Sequence, residues 1–287
     1  MPLIPTEQLI RTTLSSDSPD RHGIGAFNVI HLETAEAIVS AAERAGHPVI
    51  LQISQNCVRY HGGLEPIGLA SLAVARASSA PVAVHLDHAE DEELARMAVD
   101  LGFGSVMFDG SALEYEANVD ATVRFVEYAH ARDVSVEAEL GEIGGKDGAH
   151  APGVRTDPEE ARRFAAETGV DSLAVAVGSS HAMLKRSASI DLGLITRIAE
   201  VVPVPLVLHG SSGVPDDQLV AAIRAGMTKI NVSTHLNSVF TRAVRTDLAA
   251  DPDVVDSRKY VAAGRAALSG EAERLIRLFA GEDAAQS

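Results

Sequence analysis

Short apolar runs alternate with longer amphipathic segments along the whole chain. Segments such as 32–46 and 91–102 carry apolar residues at helical spacing, acidic residues in the first turn and a glycine after the last turn. The runs between them are rich in valine, isoleucine, leucine and alanine, which is typical of buried parallel strands. The pattern predicts eight strands, at 22–29, 48–54, 81–88, 104–110, 134–141, 172–178, 205–210 and 229–234.

Strands that alternate with helices at a spacing of about 25 to 30 residues predict a TIM (β/α)8 barrel. Residues 256–280 predict an extra C-terminal helix after the eighth strand. An open doubly wound sheet is the alternative. We prefer the barrel because no glycine-rich dinucleotide fingerprint follows the first strand. The 287 residues are then expected to form a single TIM-barrel domain, 1–287.

The composition narrows the classes of partner. A net charge of −16 argues against nucleic acid and against anionic membranes, both of which attract basic surfaces. The N-terminus does not resemble a signal peptide, and no apolar run approaches the length of a transmembrane helix. Cys57 is the only cysteine, which favours a reduced, cytoplasmic setting. An anionic substrate would need a metal ion, helix N-termini or a few basic residues.

The third strand ends in an unusual cluster of ionisable residues, in the sequence VAVHLDH. The period of two along a strand places His85 and Asp87 on one face and His88 on the other. Buried ionisable groups are costly unless they are paired or bind a metal. The alternative is a solvated strand end with two unrelated histidines.

Catalytic residues of TIM barrels lie at the C-terminal ends of the strands. His88, His181 and His209 each fall at or just after the end of a different predicted strand. Three imidazoles that leave a fourth position open are typical of a catalytic zinc site. Acidic residues are interleaved with them at the ends of the third, fourth and fifth strands, namely Asp87, Asp109, Glu137 and Glu139.

The loops after the seventh and eighth strands carry small polar residues, in the sequences HGSSG and NVST. In barrels these two loops often bind phosphate through backbone N–H groups. HGSSG can equally be a tight turn into a helix, with Ser212 or a neighbour as the N-cap. Both interpretations stay open.

The motifs together resemble the class II, metal-dependent ketose-bisphosphate aldolases, the fructose- and tagatose-bisphosphate family. The resemblance runs essentially from end to end. It is carried by GAFNV (25–29), HLDH (85–88), SVMFDGS (105–111), VEAELGEIGG (136–145), TGVDSLAVAVGSSH (168–181), PLVLHGSSG (205–213), KINVST (229–234) and SRKY (257–260).

The resemblance implies reversible cleavage of a ketose bisphosphate into dihydroxyacetone phosphate and an aldehyde. It implies one catalytic Zn2+, held by His88, His181 and His209, with Glu139 as an alternative ligand, and it leaves room for a monovalent cation. The metal would polarise the ketone and stabilise the enediolate. Asp87 matches the acid/base at the C4 hydroxyl.

The resemblance also implies a set of substrate-binding residues. Asn28 matches a contact to the enediolate. Phosphate binding is implied for Ser54, Ala182, Lys185, Gly210, Ser211, Gly213, Asn231, Ser233 and Thr234. A small residue at position 233 favours the tagatose-like branch over the fructose branch, which carries aspartate there.

Several positions depart from the family pattern. Ala182 and Ser211 stand where relatives carry glycine, and both crowd a backbone that should approach phosphate closely. His235 replaces an acidic residue. The catalytic glutamate of the loop at 141–158 aligns either with Lys146 or with Asp147, and Asp147 is our choice for that role.

The family forms dimers and tetramers, so a homodimer or homotetramer is expected. The basic candidates for the second phosphate are Arg59, Arg258, Lys259 and Arg265.

Three other functions compete with a metal-dependent aldolase. A Schiff-base aldolase needs a lysine at the active face, but Lys229 is predicted to begin the eighth strand, at the opposite, stabilising face. A metal-dependent hydrolase commonly brings an early His-x-His pair, and the first strand offers only Asn28 at that end. A non-catalytic sugar-phosphate sensor would keep the metal ligands and lose turnover.

Overall fold

The computed structural model of the chain describes residues 3–15, 21–140, 155–180 and 186–282. Within them, eight parallel strands pair in sequence order, and the eighth pairs with the first to close a barrel. The predicted TIM barrel is therefore confirmed. The strands are β1 Ile24–Asn28, β2 Val49–Ser54, β3 Val82–Ala89, β4 Ser105–Phe108, β5 Ser135–Glu139, β6 Ser172–Ala174, β7 Leu206–Leu208 and β8 Met227–Val232.

One helix precedes the first strand, and the others follow the strands around the barrel. The helices are α1 Thr6–Leu14, α2 Leu32–Ala45, α3 Gln55–His61, α4 Glu65–Ala77, α5 Glu92–Leu101, α6 Tyr115–His130, α7 Pro158–Thr168, α8 Leu192–Val201, α9 Asp216–Ala225, α10 Thr234–Ala250 and α11 Ser257–Phe279. The last of them confirms the extra C-terminal helix. None of the helices in the described ranges has both the length and the apolar character needed to span a bilayer.

Six of the eight predicted strands are shorter in the structure, most clearly β6 and β7, and β8 begins earlier than predicted. β6 and β7 contain three residues each, because the chain leaves the ladder after Ala174 and Leu208 to form loops. β8 begins at Met227, directly after the glycine that ends α9. Lys229 is therefore the third residue of β8. Its predicted place at the start of the strand is wrong.

The hydrophobic core has two main parts. The larger part lies between the strands and the surrounding helices, where α11 packs against α2 and Phe279 stacks on Phe27 at 6.4 Å between ring centroids. The smaller part lies inside the barrel at its N-terminal end, where Leu9 and Ile10 of α1 pack against Ile24 and Ile50. Helix α1 thus closes one mouth of the barrel, and the polar residues lie toward the other.

Buried polar side chains fill the middle of the barrel. The pairing register aligns Gln52 with His85 and Ser54 with Asp87 on β2 and β3. Because side chains alternate along a strand, Ile50, Gln52 and Ser54 share one face, and the inner surface turns from apolar to polar within four residues. This polar layer supports the groups at the C-terminal mouth.

Candidate metal centre and active site

Strand β3 is irregular where it reaches the C-terminal mouth. Its pairing with β4 shifts register between Leu86 and Ala89, and His88 has a left-handed backbone with φ of 52°. Strict alternation predicts that His88 faces away from Asp87, and this prediction is wrong. Ligand atoms of Asp87, His88 and His209 all lie within 4.8 Å of one another. The bulge brings two consecutive side chains into one site, at a typical strain cost of about 1–3 kcal/mol.

A carboxylate fixes the orientation of the His88 ring. His88 Nδ1 lies 2.7 Å from Asp109 Oδ2, and Asp109 Oδ1 accepts a hydrogen bond from the Ser111 hydroxyl at 2.6 Å. An ionised carboxylate accepts hydrogen bonds and donates none, so His88 Nδ1 carries the proton. His88 Nε2 is left with a lone pair that faces the centre of the mouth.

His209 is held in the same manner from the opposite side. Its Nε2 lies 2.9 Å from Glu137 Oε1, and its Nδ1 lies 3.1 Å from His88 Nε2 and 3.7 Å from Glu139 Oε2. The second oxygen of Glu137 accepts from Lys229 Nζ at 2.8 Å. His209 and Glu139 are completely buried. The Nδ1 lone pair of His209 therefore points at the same place as the Nε2 lone pair of His88.

These residues fit a divalent metal ion. Two lone-pair nitrogens 3.1 Å apart repel each other unless a proton or a cation lies between them. Two overlapping groups offer ligand atoms: Asp87 with His88 and His209, and His88 with Asp109 and Glu139. Imidazole nitrogens combined with carboxylate oxygens suit zinc and its neighbours in the first transition row.

Asp87 is surrounded by carboxamides. It is 4 % exposed, and Asn28 Nδ2, Gln52 Nε2 and Asn231 Nδ2 lie 3.4, 3.5 and 3.5 Å from its oxygens. Burial alone would raise the pKa of Asp87, but the positive charges beside it, those of His88 and His209 in their protonated form and that of Lys229, outweigh burial and lower the pKa below its ordinary value. The side chain is therefore ionised at neutral pH.

Gln52 was not among the residues predicted from the sequence. Its Nε2 donates to Asn28 Oδ1 at 2.7 Å and so connects β2 to β1 beneath Asp87. The period of two could have revealed it, because Gln52 shares a face with Ser54, which is level with Asp87.

The loop after β7 forms a single 3-10 turn, Ser211–Gly213. Gly210 before it has φ of 68°, and a Cβ there would lie 2.6 Å from the carbonyl carbon of Ser180. The buried Ser211 side chain donates to Leu208 O at 3.0 Å. Serine at this position therefore fits without entering the mouth.

Ser212 connects the loops after β7 and β8. Its hydroxyl accepts from the backbone N–H of Ser233 at 3.2 Å. The N-cap of α9 is Pro215, so Ser212 does not cap this helix, although the sequence left Ser212 or a neighbour open for that role.

Helix α10 begins at Thr234, at the C-terminal mouth. Its first turn contains no acidic residue, and Ser233 makes no side-chain capping bond to it. His235 pairs with Glu271 of α11 at 2.7 Å. The first turn of α10 therefore presents backbone N–H groups and contains no carboxylate. This arrangement favours the binding of an anion.

Ser54 and three basic candidates for the second phosphate have partners within the chain. The Ser54 hydroxyl caps α3 by accepting from Cys57 N at 3.2 Å. The ion pairs are Arg59 with Glu90 at 3.6 Å, Arg258 with Asp256 at 2.9 Å and Arg265 with Glu36 at 2.9 Å.

Lys259 lies in the first turn of α11. Five other predicted residues lie outside the described ranges. They are Lys146 and Asp147 of the loop after β5, and His181, Ala182 and Lys185 of the loop after β6.

Comparison with known proteins agrees with this geometry. The sequence model described as fructose-bisphosphate aldolase class-II matches residues 10–284. A fructose-bisphosphate aldolase of Geobacillus stearothermophilus is 40 % identical over 283 residues, covering 97 % of each chain. A 6-phospho-5-dehydro-2-deoxy-D-gluconate aldolase of Shouchella clausii is 39 % identical over 269 residues, covering 93 % of this chain and 92 % of the relative.

Among solved structures, the crystal structure of the YdjI aldolase from Escherichia coli K12 superimposes with a TM-score of 0.84. Its sequence is 29 % identical, and the match covers 99 % of this chain and all of the other. With a barrel, a mouth lined by imidazoles and carboxylates, and relatives that match along nearly its whole length, the chain belongs to the class II fructose-bisphosphate aldolase family.

Proposed function

We propose that the protein is a metal-dependent aldolase that reversibly cleaves a ketose 1,6-bisphosphate to dihydroxyacetone phosphate and glyceraldehyde 3-phosphate. The convergence of Asp87, His88 and His209 within 4.8 Å at the barrel mouth carries this proposal. We assign His88, His209 and His181 as the metal ligands, with Glu139 as an alternative ligand. A zinc ion bound there would act as a Lewis acid that polarises the substrate ketone.

Asp87 is the proposed acid/base at the C4 hydroxyl. In cleavage its carboxylate takes the hydroxyl proton while the C3–C4 bond breaks, so that C4 becomes an aldehyde and the bonding electrons pass to the dihydroxyacetone phosphate half. That half then takes up a proton at C3, and we assign this second transfer to Asp147. The lowered pKa of Asp87 supports its role, because a base has to be ionised at neutral pH.

The loops after β7 and β8 are the proposed site for the dihydroxyacetone phosphate end. The backbone of the Ser211–Gly213 turn and the start of α10 offer N–H groups in a protein whose net charge is −16. The proposed contacts are Asn28, Ser54, Ala182, Lys185, Gly210, Ser211, Gly213, Asn231, Ser233 and Thr234. The small side chain of Ser233 favours tagatose 1,6-bisphosphate over the fructose epimer.

A second candidate substrate comes from the relative named for 6-phospho-5-dehydro-2-deoxy-D-gluconate. That compound has a ketone at C5, a hydroxyl at C3 and a phosphate at C6. The same bond cleavage would therefore release dihydroxyacetone phosphate together with an aldehyde that ends in a carboxylate. The candidates share the dihydroxyacetone phosphate half and differ in the aldehyde half, which carries a hydroxyl and a phosphate in the bisphosphates but a methylene group and a carboxylate in the gluconate compound.

The first experiment measures release of dihydroxyacetone phosphate from all three substrates side by side, with EDTA and after zinc is restored. Cleavage that EDTA abolishes and zinc restores would establish the metal-dependent aldolase, and the ratio of kcat/KM values would identify the substrate. If zinc-loaded protein that binds the metal cleaves none of them, the proposal is wrong and a sugar-phosphate sensor becomes the better account.

We also propose a domain organisation, a cellular compartment and an oligomeric state for the protein. The family model spans residues 10–284, which supports one catalytic domain. Cys57 is a buried free thiol and the single cysteine of the sequence, which fits a reduced, cytoplasmic compartment. We expect a homodimer or homotetramer.

A further inference from the structure

We infer that Glu137 and Lys229 are positioning residues for the metal centre, and that their ion pair sets the metal affinity by holding His209. The inference rests on the proposed role of His209 as a metal ligand. Neither residue lies at the end of a strand, and neither has a role in the reaction proposed above.

The two oxygens of Glu137 serve different partners. Oε1 accepts from His209 Nε2 at 2.9 Å, and Oε2 accepts from Lys229 Nζ at 2.8 Å. The three side chains are 0–2 % exposed, so bulk water cannot replace either bond. One carboxylate therefore links β5, β8 and the residue that follows β7 across the inside of the barrel.

This arrangement fixes the proton on His209. A carboxylate only accepts hydrogen bonds, so the N–H of the ring is held at Nε2 and the lone pair at Nδ1. Nδ1 is the atom that faces His88 Nε2 at 3.1 Å. The other tautomer would present an N–H to the metal, and a ring turned over by 180° would present a C–H, so neither could bind it.

Lys229 makes a carboxylate tolerable at this depth. A buried carboxylate without a cation is costly, and the ammonium group supplies the missing charge. The partner of His88 is arranged differently, because Asp109 is supported by the Ser111 hydroxyl. The ring of His209 is therefore held by side chains of rigid strands. The negative charge of Glu137, which holds it, is balanced by Lys229 inside the barrel.

The neighbouring layer provides a matched control. His85 Nδ1 lies 2.6 Å from the Ser105 hydroxyl, which donates to Thr6 Oγ1 at 2.7 Å. Ser105 is as deeply buried as the ion pair, and its hydroxyl bonds to His85 and Thr6, neither of which is a proposed metal ligand. Within the described ranges it reaches the ion pair only through His85, whose Nε2 lies 3.9 Å from Glu137 Oε2. The variant Ser105→Ala therefore disturbs the interior of the barrel without touching His209.

The test measures zinc affinity by competition with a chromophoric chelator, together with melting temperatures of zinc-free and zinc-loaded protein. Glu137→Asp keeps the charge that Lys229 needs but withdraws the oxygen from His209. Glu137→Gln/Lys229→Met removes both charges together, so no buried charge is left unpaired. We expect both variants to bind zinc about 10- to 100-fold more weakly than wild type, and Ser105→Ala to match wild type.

The visible spectrum of the cobalt-loaded proteins is a second readout, since it reports the ligand field at the metal. We expect an altered spectrum for Glu137→Asp and an unchanged one for Ser105→Ala. A purely structural ion pair would lower the zinc-free and zinc-loaded melting temperatures equally and leave the affinity unchanged, which would overturn the inference. Wild-type protein that binds no divalent metal would instead overturn the proposed metal site, and the inference with it.

Discussion

Gln52 holds the carboxamide of Asn28 in one orientation, because its Nε2 donates to Asn28 Oδ1 at 2.7 Å. With Oδ1 engaged, the Nδ2 group of Asn28 faces Asp87 Oδ2 at 3.4 Å. A glutamine beneath the site thus determines which end of the asparagine meets the proposed catalytic carboxylate. Gln52 Oε1 is buried and has no partner among the described residues, so the glutamine is not placed there for stability alone.

We expect Gln52→Leu to lower kcat by about 10- to 100-fold, because a small misplacement of catalytic groups costs that much. The melting temperature should change little, because leucine removes the unsatisfied Gln52 Oε1 but leaves Asn28 Oδ1 without its donor, and the two effects offset each other. Gln55→Leu is the control, because the Gln55 side chain bonds to Glu90 and to none of the proposed catalytic residues in the described ranges. It should lose stability and keep its activity. Equal kcat values for the two variants would contradict the role of Gln52.

Asp87→Asn should lower turnover by about 10²- to 10⁴-fold, the usual contribution of a positioned acid/base. Zinc binding, measured by equilibrium dialysis, should remain close to that of wild type if Asp87 transfers protons without ligating the metal. Asp91→Asn, two residues after the end of β3, is the control. Asp91 caps α5, and asparagine caps a helix about as well. Loss of zinc from Asp87→Asn would show that Asp87 is a ligand instead.

Gly210→Ala should reduce both stability and activity. The added Cβ would meet the Ser180 carbonyl carbon at 2.6 Å, so one of the two loops has to move. Gly46→Ala isolates the cost of the backbone conformation, because Gly46 has φ of 72° and open space around it. We expect that variant to lose about 1 kcal/mol in the free energy of unfolding and to keep its activity. The KM for the bisphosphate should rise only in Gly210→Ala, and equal KM values would count against the proposed phosphate site.

Glu271 should contribute stability that depends on pH. Burial opposes its ionisation, but hydrogen bonds from His235 and Arg274 outweigh that effect and lower the pKa of Glu271 to about 2 from an ordinary value of 4.5. A lowered pKa stabilises the fold above the ordinary value, and the stabilisation is lost as the pH falls from 4.5 toward 2.

The variant Glu271→Gln should therefore lose about 1–2 kcal/mol near pH 7, since the partly exposed side chain is screened by water. Less than half of that difference should remain near pH 3. Urea unfolding at the two pH values measures both quantities. Glu200→Gln, at an exposed site on α8, is the control and should show no such dependence. A difference that stays constant with pH would rule out the assigned ion pair.

The barrel could be predicted because parallel strands buried on both faces have a distinctive composition and spacing. Once the eight strands were assigned, the residues at their C-terminal ends followed, namely His88, Asp109, Glu139 and His209. The place of a side chain inside the barrel could not be predicted in the same way, because it depends on the exact residue at which a strand begins. An error of two residues at the start of β8 was enough to move Lys229 from the interior to the wrong end of the barrel.

The orientation of His88 could not have been predicted from alternation. A bulge is decided by how two neighbouring strands fit together, and nothing in HLDH distinguishes it from a regular strand end. The partnership of Glu137 with Lys229 joins residues 92 positions apart, and only the closed barrel brings them together.

The bulge in β3 also limits how this site could be rebuilt elsewhere. Grafting Asp87 and His88 onto a regular strand of another barrel would send one side chain inward and the other among the helices. The transferable unit is the irregular backbone together with both residues. Engineers who wish to design such a centre must therefore build the extra residue into the strand before they choose any ligand.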